Sequence, residues 1–171
     1  MSIKRISIAL AVAAAAVLLV GSPAYAGNAH FIGNHTSASL DGTSLVVEFK
    51  EAGLESGSVE TVTASAHLTA TYQCINTGGS NPADPKKTTI DSEVSQSGEF
   101  TANKNGQLVG SLTLSIPAAD TVLDCPNGQT ATLTAGAWSG ITITDETSGA
   151  FAMVAGSFSF GAPVGHGGGK N

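Results

Sequence analysis

The fold class is decided by the stretch Val62-Thr63-Ala64-Ser65-Ala66-His67-Leu68-Thr69-Ala70-Thr71-Tyr72. Its even-numbered residues are Val, Ala, Leu or Tyr, and its odd-numbered residues are Thr, Ser or His. Such strict alternation predicts a strand with one face in the core and the other in water. Similar patterns predict further strands near 36–40, 44–50, 88–95, 98–102, 107–116, 130–145 and 150–160.

Turn signals separate these strands. Asp41-Gly42 and Asn105-Gly106 each lie between two of them, a pattern typical of tight hairpins in which both central residues need positive φ. Helix signals are confined to 118–123, which follows Pro117 and predicts one helical turn. Seven or eight strands without a long helix predict an all-β, antiparallel β-sandwich. An immunoglobulin-like Greek key is favoured, with a jelly roll or a closed barrel as alternatives.

Composition excludes several classes of protein. The chain has 171 residues, with 7 Lys and Arg against 13 Asp and Glu, a formal net charge of −6. Because so few cations are present to neutralise phosphates, we expect no nucleic-acid partner. Hydrophobic residues make up 42% of the chain, which favours a folded domain. Aromatic residues make up only 5%, so the core is expected to consist of Val, Leu, Ile and Ala.

The first residues indicate export. Lys4 and Arg5 precede an apolar run over 6–20, which is shorter than the roughly 20 residues that a membrane-spanning helix needs. Pro23 and Ala24-Tyr25-Ala26 follow, so 1–26 is predicted to be a secretory signal peptide, cleaved after Ala26. The β-sandwich domain is then expected over 27–160, and 161–171 is predicted to be a flexible Gly-rich tail. The mature chain would carry five Lys against 13 acidic residues, a net charge of −8. We expect a secreted, extracellular protein without a membrane span after signal cleavage.

The two cysteines, Cys74 and Cys125, predict one disulfide bond, because an oxidising compartment pairs an even number of thiols. Cys74 ends a predicted strand and Cys125 lies in a segment rich in Pro and Gly. The bond is therefore expected to join loops rather than the two sheets.

The polar segments that follow the two cysteines form the candidate binding loops. Their amides and polar side chains are suited to directional hydrogen bonds with an extracellular glycan, peptide or protein. The alternative is that these residues serve only as turns of a long crossover. The candidate residues are Asn76, Gly78, Gly79, Asn81, Asp84, Lys86, Asn127 and Gln129.

The same segments carry a resemblance. Cys74-x-Asn76-x-Gly78-Gly79-x-x-Pro82, and later Cys125-Pro126-x-Gly128-Gln129, resemble a group of small secreted proteins from filamentous Gram-positive bacteria. The stretches 29–32 and 49–54 are similar to that group as well. The resemblance implies a secreted β domain and supplies no catalytic residues.

Histidine gives the one cofactor alternative. Gly27-Asn28-Ala29 is a second acceptable cleavage site, and cutting there exposes His30 as the N-terminus. The amine and ring of an N-terminal His30, together with His35 or His67, would supply the nitrogen ligands for one copper ion. Since the Ala26 site is better placed, we expect no metal and no cofactor, with copper as the alternative.

Other chemistry has weaker signals. The chain has no Gly-x-Ser-x-Gly or His-Glu-x-x-His motif, so we expect a non-enzymatic protein. Asp145 and Glu146 are predicted to be acidic turn residues, with weak Ca²⁺ binding as the alternative. Trp138 is predicted to be the central packing residue. The leading hypothesis is a secreted binding module, and the alternatives are a copper-dependent oxidative enzyme or copper-binding protein and a small-ligand carrier.

Overall fold

The computed structural model describes residues 28–83 and 85–161. The predicted signal peptide, Asp84 and the predicted tail beyond Gly161 lie outside the described residues. The described part forms nine strands: β1 (His30–Phe31), β2 (Ser37–Asp41), β3 (Ser44–Ala52), β4 (Val59–Asn76), β5 (Lys87–Thr101), β6 (Gln107–Leu114), β7 (Gln129–Asp145), β8 (Phe151–Met153) and β9 (Phe158–Phe160). A 3-10 turn at Gly33–His35 and the helical turn α1 (Ala119–Val122) complete it.

The strands form two antiparallel sheets, which confirms the all-β sandwich. In sheet A, β3 pairs with β6 along one edge and with β1 and β2 along the other. In sheet B, β4 lies between β5 and β7, and the short strands β8 and β9 both pair with the far edge of β7. The loop 53–58 and the segments 102–106 and 115–128 carry the chain from one sheet to the other.

Strand β4 shows how the sequence forms the core. Every even-numbered side chain from Val62 to Tyr72 is fully buried, whereas the odd-numbered Thr, Ser and His side chains face outward and are half-buried. The alternation therefore predicts the burial correctly, and the strand extends beyond the predicted stretch at both ends. Trp138 is fully buried as predicted, and its indole N–H donates to a main-chain carbonyl.

Strand β5 corrects one prediction. A break at 96–97 was expected to separate strands 88–95 and 98–102, but one strand runs through these positions. Gly98 faces inward, where a Cβ would lie 3.1 Å from Leu112 and 3.0 Å from Phe100. Gly110 on β6 is more crowded still, since a Cβ there would lie 2.5 Å from Phe100. Glycine at 98 thus makes room for the Phe100 ring and does not mark a turn.

The hairpin between β2 and β3 also differs from the prediction. Asp41 pairs with Ser44, so the two turn residues are Gly42 and Thr43 rather than Asp41 and Gly42. Of these two turn residues, only Gly42 has a positive φ, at 62°. Elsewhere in the described residues, positive φ occurs only at glycines. A glycine at the first central position is sufficient for a two-residue hairpin of this kind.

The predicted strand 150–160 is divided into β8 and β9. Between the pairs Ser65–Thr142 and His67–Ser139, β7 contains one extra residue, and Gly140 there has a φ of 60°. A bulge of this type bends the strand and disrupts the hydrogen-bond ladder locally. Strands β8 and β9 therefore pair with β7 on either side of the bulge.

Candidate functional site

The predicted disulfide is present between Cys74 and Cys125, with Cα atoms 5.6 Å apart. Cys74 lies within β4, two residues before the strand ends, and its side chain is fully buried against the core. Cys125 lies in the segment between α1 and β7. The bond therefore fastens a loop to sheet B, whereas the sequence had predicted a connection between two loops.

Two loops meet around this bond, and we call their joint surface the stapled-loop surface, consisting of 76–83, 85–86 and 124–129. Thr77 connects them at one end, because its backbone N–H and its hydroxyl both donate to the Gly128 carbonyl, at 3.1 and 2.9 Å. Lys86 connects them at the other end, where its Nζ donates to the Asp124 carbonyl at 2.6 Å. Three hydrogen bonds thus hold the two loops together, and the disulfide fastens the second loop to the end of β4.

The first loop is also ordered by internal hydrogen bonds. The Asn76 N–H donates to the Ser80 carbonyl at 3.1 Å, and the Gly79 N–H donates to the Asn76 carbonyl at 2.7 Å. Gly79 has a φ of 78°, a conformation that favours glycine. Nε2 of the buried Gln73 donates to Oδ1 of Asn81 at 3.0 Å. These contacts stabilise the conformation in which the loop is seen.

The structure brings most of the predicted binding residues onto this surface. Asn76 is half-buried and pairs with Gln129 at the end of the β4–β7 ladder. The residues that remain exposed are Gly78, Gly79, Asn81, Lys86 and Asn127. Asp84 lies outside the described residues. The predicted residues therefore come from two distant segments of the chain but share one end of sheet B.

A shallow cavity of about 250 Å³ lies beside the disulfide on the second loop. Sequence reasoning named Gln129 but did not connect Asp120, Leu123 or Thr130 with the binding loops. The helical turn α1 brings Asp120 and Leu123 to the cavity, a placement that depends on tertiary structure. The lining residues are Asp120, Leu123, Asp124, Cys125, Gln129, Thr130 and Ala131.

The candidate copper ligands are distributed over both sheets. His30 lies on β1 and His35 in the following 3-10 turn, both beside sheet A. His67 lies on the outer face of sheet B, with Nε2 at 2.6 Å from Asp91. Within 28–83 and 85–161, no three His, Cys, Asp or Glu side chains are arranged to hold a metal ion. The structure thus places His67 apart from His30 and His35.

Sequence reasoning missed a group of buried acidic side chains at the other end of the sandwich. Asp145, predicted to be an acidic turn residue, is the last residue of β7 and is fully buried, because it occupies an inward-facing position. Glu51 and Glu60 are buried at inward-facing positions of β3 and β4. Burial, followed by the negative charge of Asp145, raises the pKa of Glu51 to about 8. The alternation of Leu45, Val47, Phe49 and Glu51 was the signal that would have placed Glu51 inside.

Comparisons with protein-family models, with curated proteins and with solved structures find no match to this chain. In the described part of the chain, no helix is long and apolar enough to cross a membrane.

Proposed function

We propose that the protein is a secreted, non-enzymatic binding module and that an extracellular glycan binds to its stapled-loop surface. The observation that carries the proposal is an exposed polar surface with many internal bonds: three hydrogen bonds join its two loops, and the disulfide fastens the second loop to β4. Ordering loops in advance reduces the entropic cost of binding. Loops on a rigid scaffold are also the usual place for binding residues.

The chemistry of the surface favours a glycan over the other extracellular ligands. The cavity beside the disulfide is lined by the carboxylates of Asp120 and Asp124, the Gln129 amide and the Thr130 hydroxyl. These groups accept and donate the directional hydrogen bonds that sugar hydroxyls require. At about 250 Å³ the cavity is smaller than the 300–1,000 Å³ range of typical small-molecule pockets. A cavity of this size suits a single sugar unit of a longer glycan better than a whole small molecule enclosed by a carrier protein.

Secretion is part of the proposal. The predicted signal peptide, the acidic mature chain and the resemblance to small secreted proteins all support it, and the disulfide is the kind of bond that persists in an oxidising compartment. We also propose that the chain path is an immunoglobulin-like Greek key. Its support is that β3 lies beside β6, while the intervening hairpin β4–β5 lies in the opposite sheet.

The experiment is a co-sedimentation assay on insoluble peptidoglycan, chitin and cellulose, combined with an array of soluble glycans. The variants Asn76→Ala, Asn81→Ala and Asn127→Ala each remove one amide from the stapled-loop surface. We expect at least one of these carbohydrates to bind the wild-type protein and at least one of the variants to lose more than tenfold in affinity.

The matched control is Asn105→Ala in the β5–β6 turn, at the opposite end of the sandwich. Its affinity is expected to equal that of the wild-type protein. Equal glycan affinity in all three surface variants would contradict the location of the site. If the protein binds none of these carbohydrates but binds an extracellular peptide or protein, the proposal that its ligand is a glycan is contradicted.

A further inference from the structure

Three carboxyl groups meet between the two sheets, at the end of the sandwich opposite the stapled-loop surface. Glu51 reaches this position from β3 of sheet A, whereas Glu60 and Asp145 come from β4 and β7 of sheet B. Their side chains are 0%, 4% and 0% exposed. Since no substrate reaches side chains buried to this degree, a catalytic role does not explain them.

One oxygen of each carboxyl group has an ordinary hydrogen-bond donor. The Ser148 hydroxyl donates to Oε1 of Glu51 at 3.0 Å, and the Ser58 hydroxyl donates to Oε1 of Glu60. Oδ1 of Asp145 accepts the N–H groups of Thr147 and Ser148, at 2.8 and 3.2 Å. These bonds fix the orientation of the three groups and anchor the β7–β8 turn to them.

The second oxygen of each group has no donor. Oε2 of Glu51, Oε2 of Glu60 and Oδ2 of Asp145 are buried without a hydrogen-bond partner. Asp145 lies beside both Glu residues: Ser148 donates to Glu51 and to Asp145, and Val62, two residues after Glu60 on the same face of β4, pairs with Asp145 on β7. Two carboxylate oxygens form a hydrogen bond only if one of them carries a proton. Two protons, one on each Glu, would satisfy all three remaining oxygens.

Within the described residues, no positively charged side chain forms an ion pair with the three carboxyl groups. The ion pairs in this part of the chain involve only His67 with Asp91 and Glu93, far along β4. Strands β6 and β8, which adjoin the group, carry no titratable residue. The titratable residues on the other adjoining segments are His30 on β1, Lys50 on the outer face of β3, Glu55 before β4, Glu99 on β5, Lys104 in the β5–β6 turn and Glu146 after β7.

A bound cation is the other way to stabilise three carboxylates. The three groups are not among any set of side chains arranged to hold a metal ion in 28–83 and 85–161. In addition, one oxygen of each group already accepts a hydrogen bond, which leaves a single oxygen per group. The geometry therefore favours protons.

We propose that Glu51, Glu60 and Asp145 form a proton-dependent clasp, in which Glu51 and Glu60 are neutral acids that donate to Asp145 and so join sheet A to sheet B. Loss of the two protons places three negative charges in a buried space, which is strongly unfavourable. The clasp then opens, and the β7–β8 turn loses the carboxyl groups to which Thr147 and Ser148 donate. Burial raises the pKa of both Glu51 and Glu60, in agreement with this assignment.

The test is the melting temperature of the full mature protein between pH 5 and pH 9. We expect the wild-type melting temperature to fall by roughly 5–10 °C over this range. Glu51→Gln and Glu60→Gln place an amide N–H where the acid proton was, so each variant mimics the protonated state at every pH. Each is expected to remove a large part of the pH dependence and to be more stable than the wild-type protein at pH 9.

The matched control is Glu48→Gln, on the same strand as Glu51 but exposed on its outer face. It removes the same charge and is expected to keep the wild-type pH dependence. A flat wild-type profile, or an unchanged dependence in both Glu51→Gln and Glu60→Gln, would overturn the clasp. A calcium-dependent rise in the wild-type melting temperature at pH 8 that EDTA reverses would also overturn the clasp. It would show that a cation, and not protons, stabilises the three carboxyl groups.

A second readout does not depend on how the variants fold. Infrared difference spectroscopy of the wild-type protein, titrated from pH 6.5 to pH 9.5, reports protonated carboxyl groups directly. We expect a carboxylic-acid band that persists above pH 6.5, where ordinary Glu side chains are ionised, and disappears as the pH rises further. The absence of this band from the folded protein at pH 6.5 would contradict the neutral state of Glu51 and Glu60.

Discussion

The indole Nε1 of Trp138 donates a hydrogen bond to the carbonyl oxygen of Thr43 at a distance of 2.9 Å. Trp138 lies on β7 in sheet B, and Thr43 lies in the β2–β3 turn of sheet A. One fully buried side chain therefore fills the centre of the core and also connects the two sheets by a polar contact. This contact attaches the β2–β3 turn to β7 of the opposite sheet.

Trp138→Phe tests the polar contact. The variant leaves the Thr43 carbonyl without its donor and leaves unfilled volume in the core, so we expect a loss of about 2–4 kcal/mol in the free energy of unfolding. Urea denaturation monitored by circular dichroism measures it. Phe151→Leu, at a position that is 61% exposed, is the control and should change the free energy by less than about 0.5 kcal/mol. Equal losses in the two variants would contradict the central role of Trp138.

The Cys74–Cys125 bond closes a loop with a sequence separation of 51 residues. Replacing both cysteines by Ala is expected to lower the free energy of unfolding by about 4 kcal/mol, since the unfolded chain gains conformational freedom. Urea unfolding of the double variant against the oxidised protein measures the loss. A thiol assay on the denatured, unreduced protein should find no free thiol, and two thiols per chain would disprove the bond.

Asp145→Asn tests the acceptor in the clasp. The Glu51 pKa is raised from 4.5 to about 8, so the folded protein binds more protons than the unfolded chain between these values. The stability linked to this proton is complete below pH 4.5 and is lost as the pH rises towards 8. Because Asn removes the charge of Asp145 and offers an N–H donor, we expect the Glu51 pKa to fall and the variant to be more stable than the wild-type protein at pH 8. Urea midpoints at pH 5 and pH 8 measure the change, and a variant less stable than the wild-type protein at pH 8 would contradict it.

Gly110→Ala tests the packing beneath sheet A. A Cβ at this position would lie 2.5 Å from the Phe100 ring and 2.7 Å from the Phe49 ring, and these two rings contact each other edge to face. We expect a loss of about 1–3 kcal/mol, measured by thermal or urea unfolding. Gly33→Ala is the matched control, because a Cβ at Gly33 meets nothing within 4 Å. A neutral Gly110→Ala would show that the rings adjust freely.

The mature N-terminus is predicted to be Gly27. Ala29 packs against the core, and a Cβ at Gly53 would lie 2.1 Å from the Asn28 carbonyl oxygen, so residues 28 and 29 belong to the folded domain. Cleavage after Ala29 would remove both. The intact mass of the secreted protein, measured without reducing agent, is expected to match a chain that begins at Gly27 and lacks two hydrogens. A chain that begins at His30 would contradict this prediction and would return copper to consideration.

Much of the fold was predictable because the alternation of residues in β4 and β3 reports directly which side chains face the core. The predicted break at 96–97 was wrong, because β5 runs through these positions and the glycine that follows them, Gly98, makes room for the Phe100 ring. The prediction of one continuous strand over 150–160 was also wrong. The bulge that separates β8 from β9 lies at Gly140 on the neighbouring strand β7. Local sequence does not reveal which neighbouring strand will interrupt a ladder.

The candidate site was predictable in part. The disulfide and the polar loops followed from residue types, but the contribution of Asp120 and Leu123 to the cavity depends on where α1 packs. The clasp was missed for a different reason: Glu and Asp are mostly exposed, so a charged residue at an inward-facing position is normally interpreted as the end of a strand. Only the assembled sandwich shows that Glu51, Glu60 and Asp145 meet.

The bulge at Gly140 has a consequence for how molecules of this protein behave at high concentration. A long, straight edge strand is a template on which other chains add and aggregate. At one side of sheet B, the bulge leaves two edge strands of only three residues each. At the other side, β5 is long but carries Asp91, Glu93 and Glu99, all exposed and of like charge. Both borders of the sheet are thus poor templates for intermolecular strand pairing.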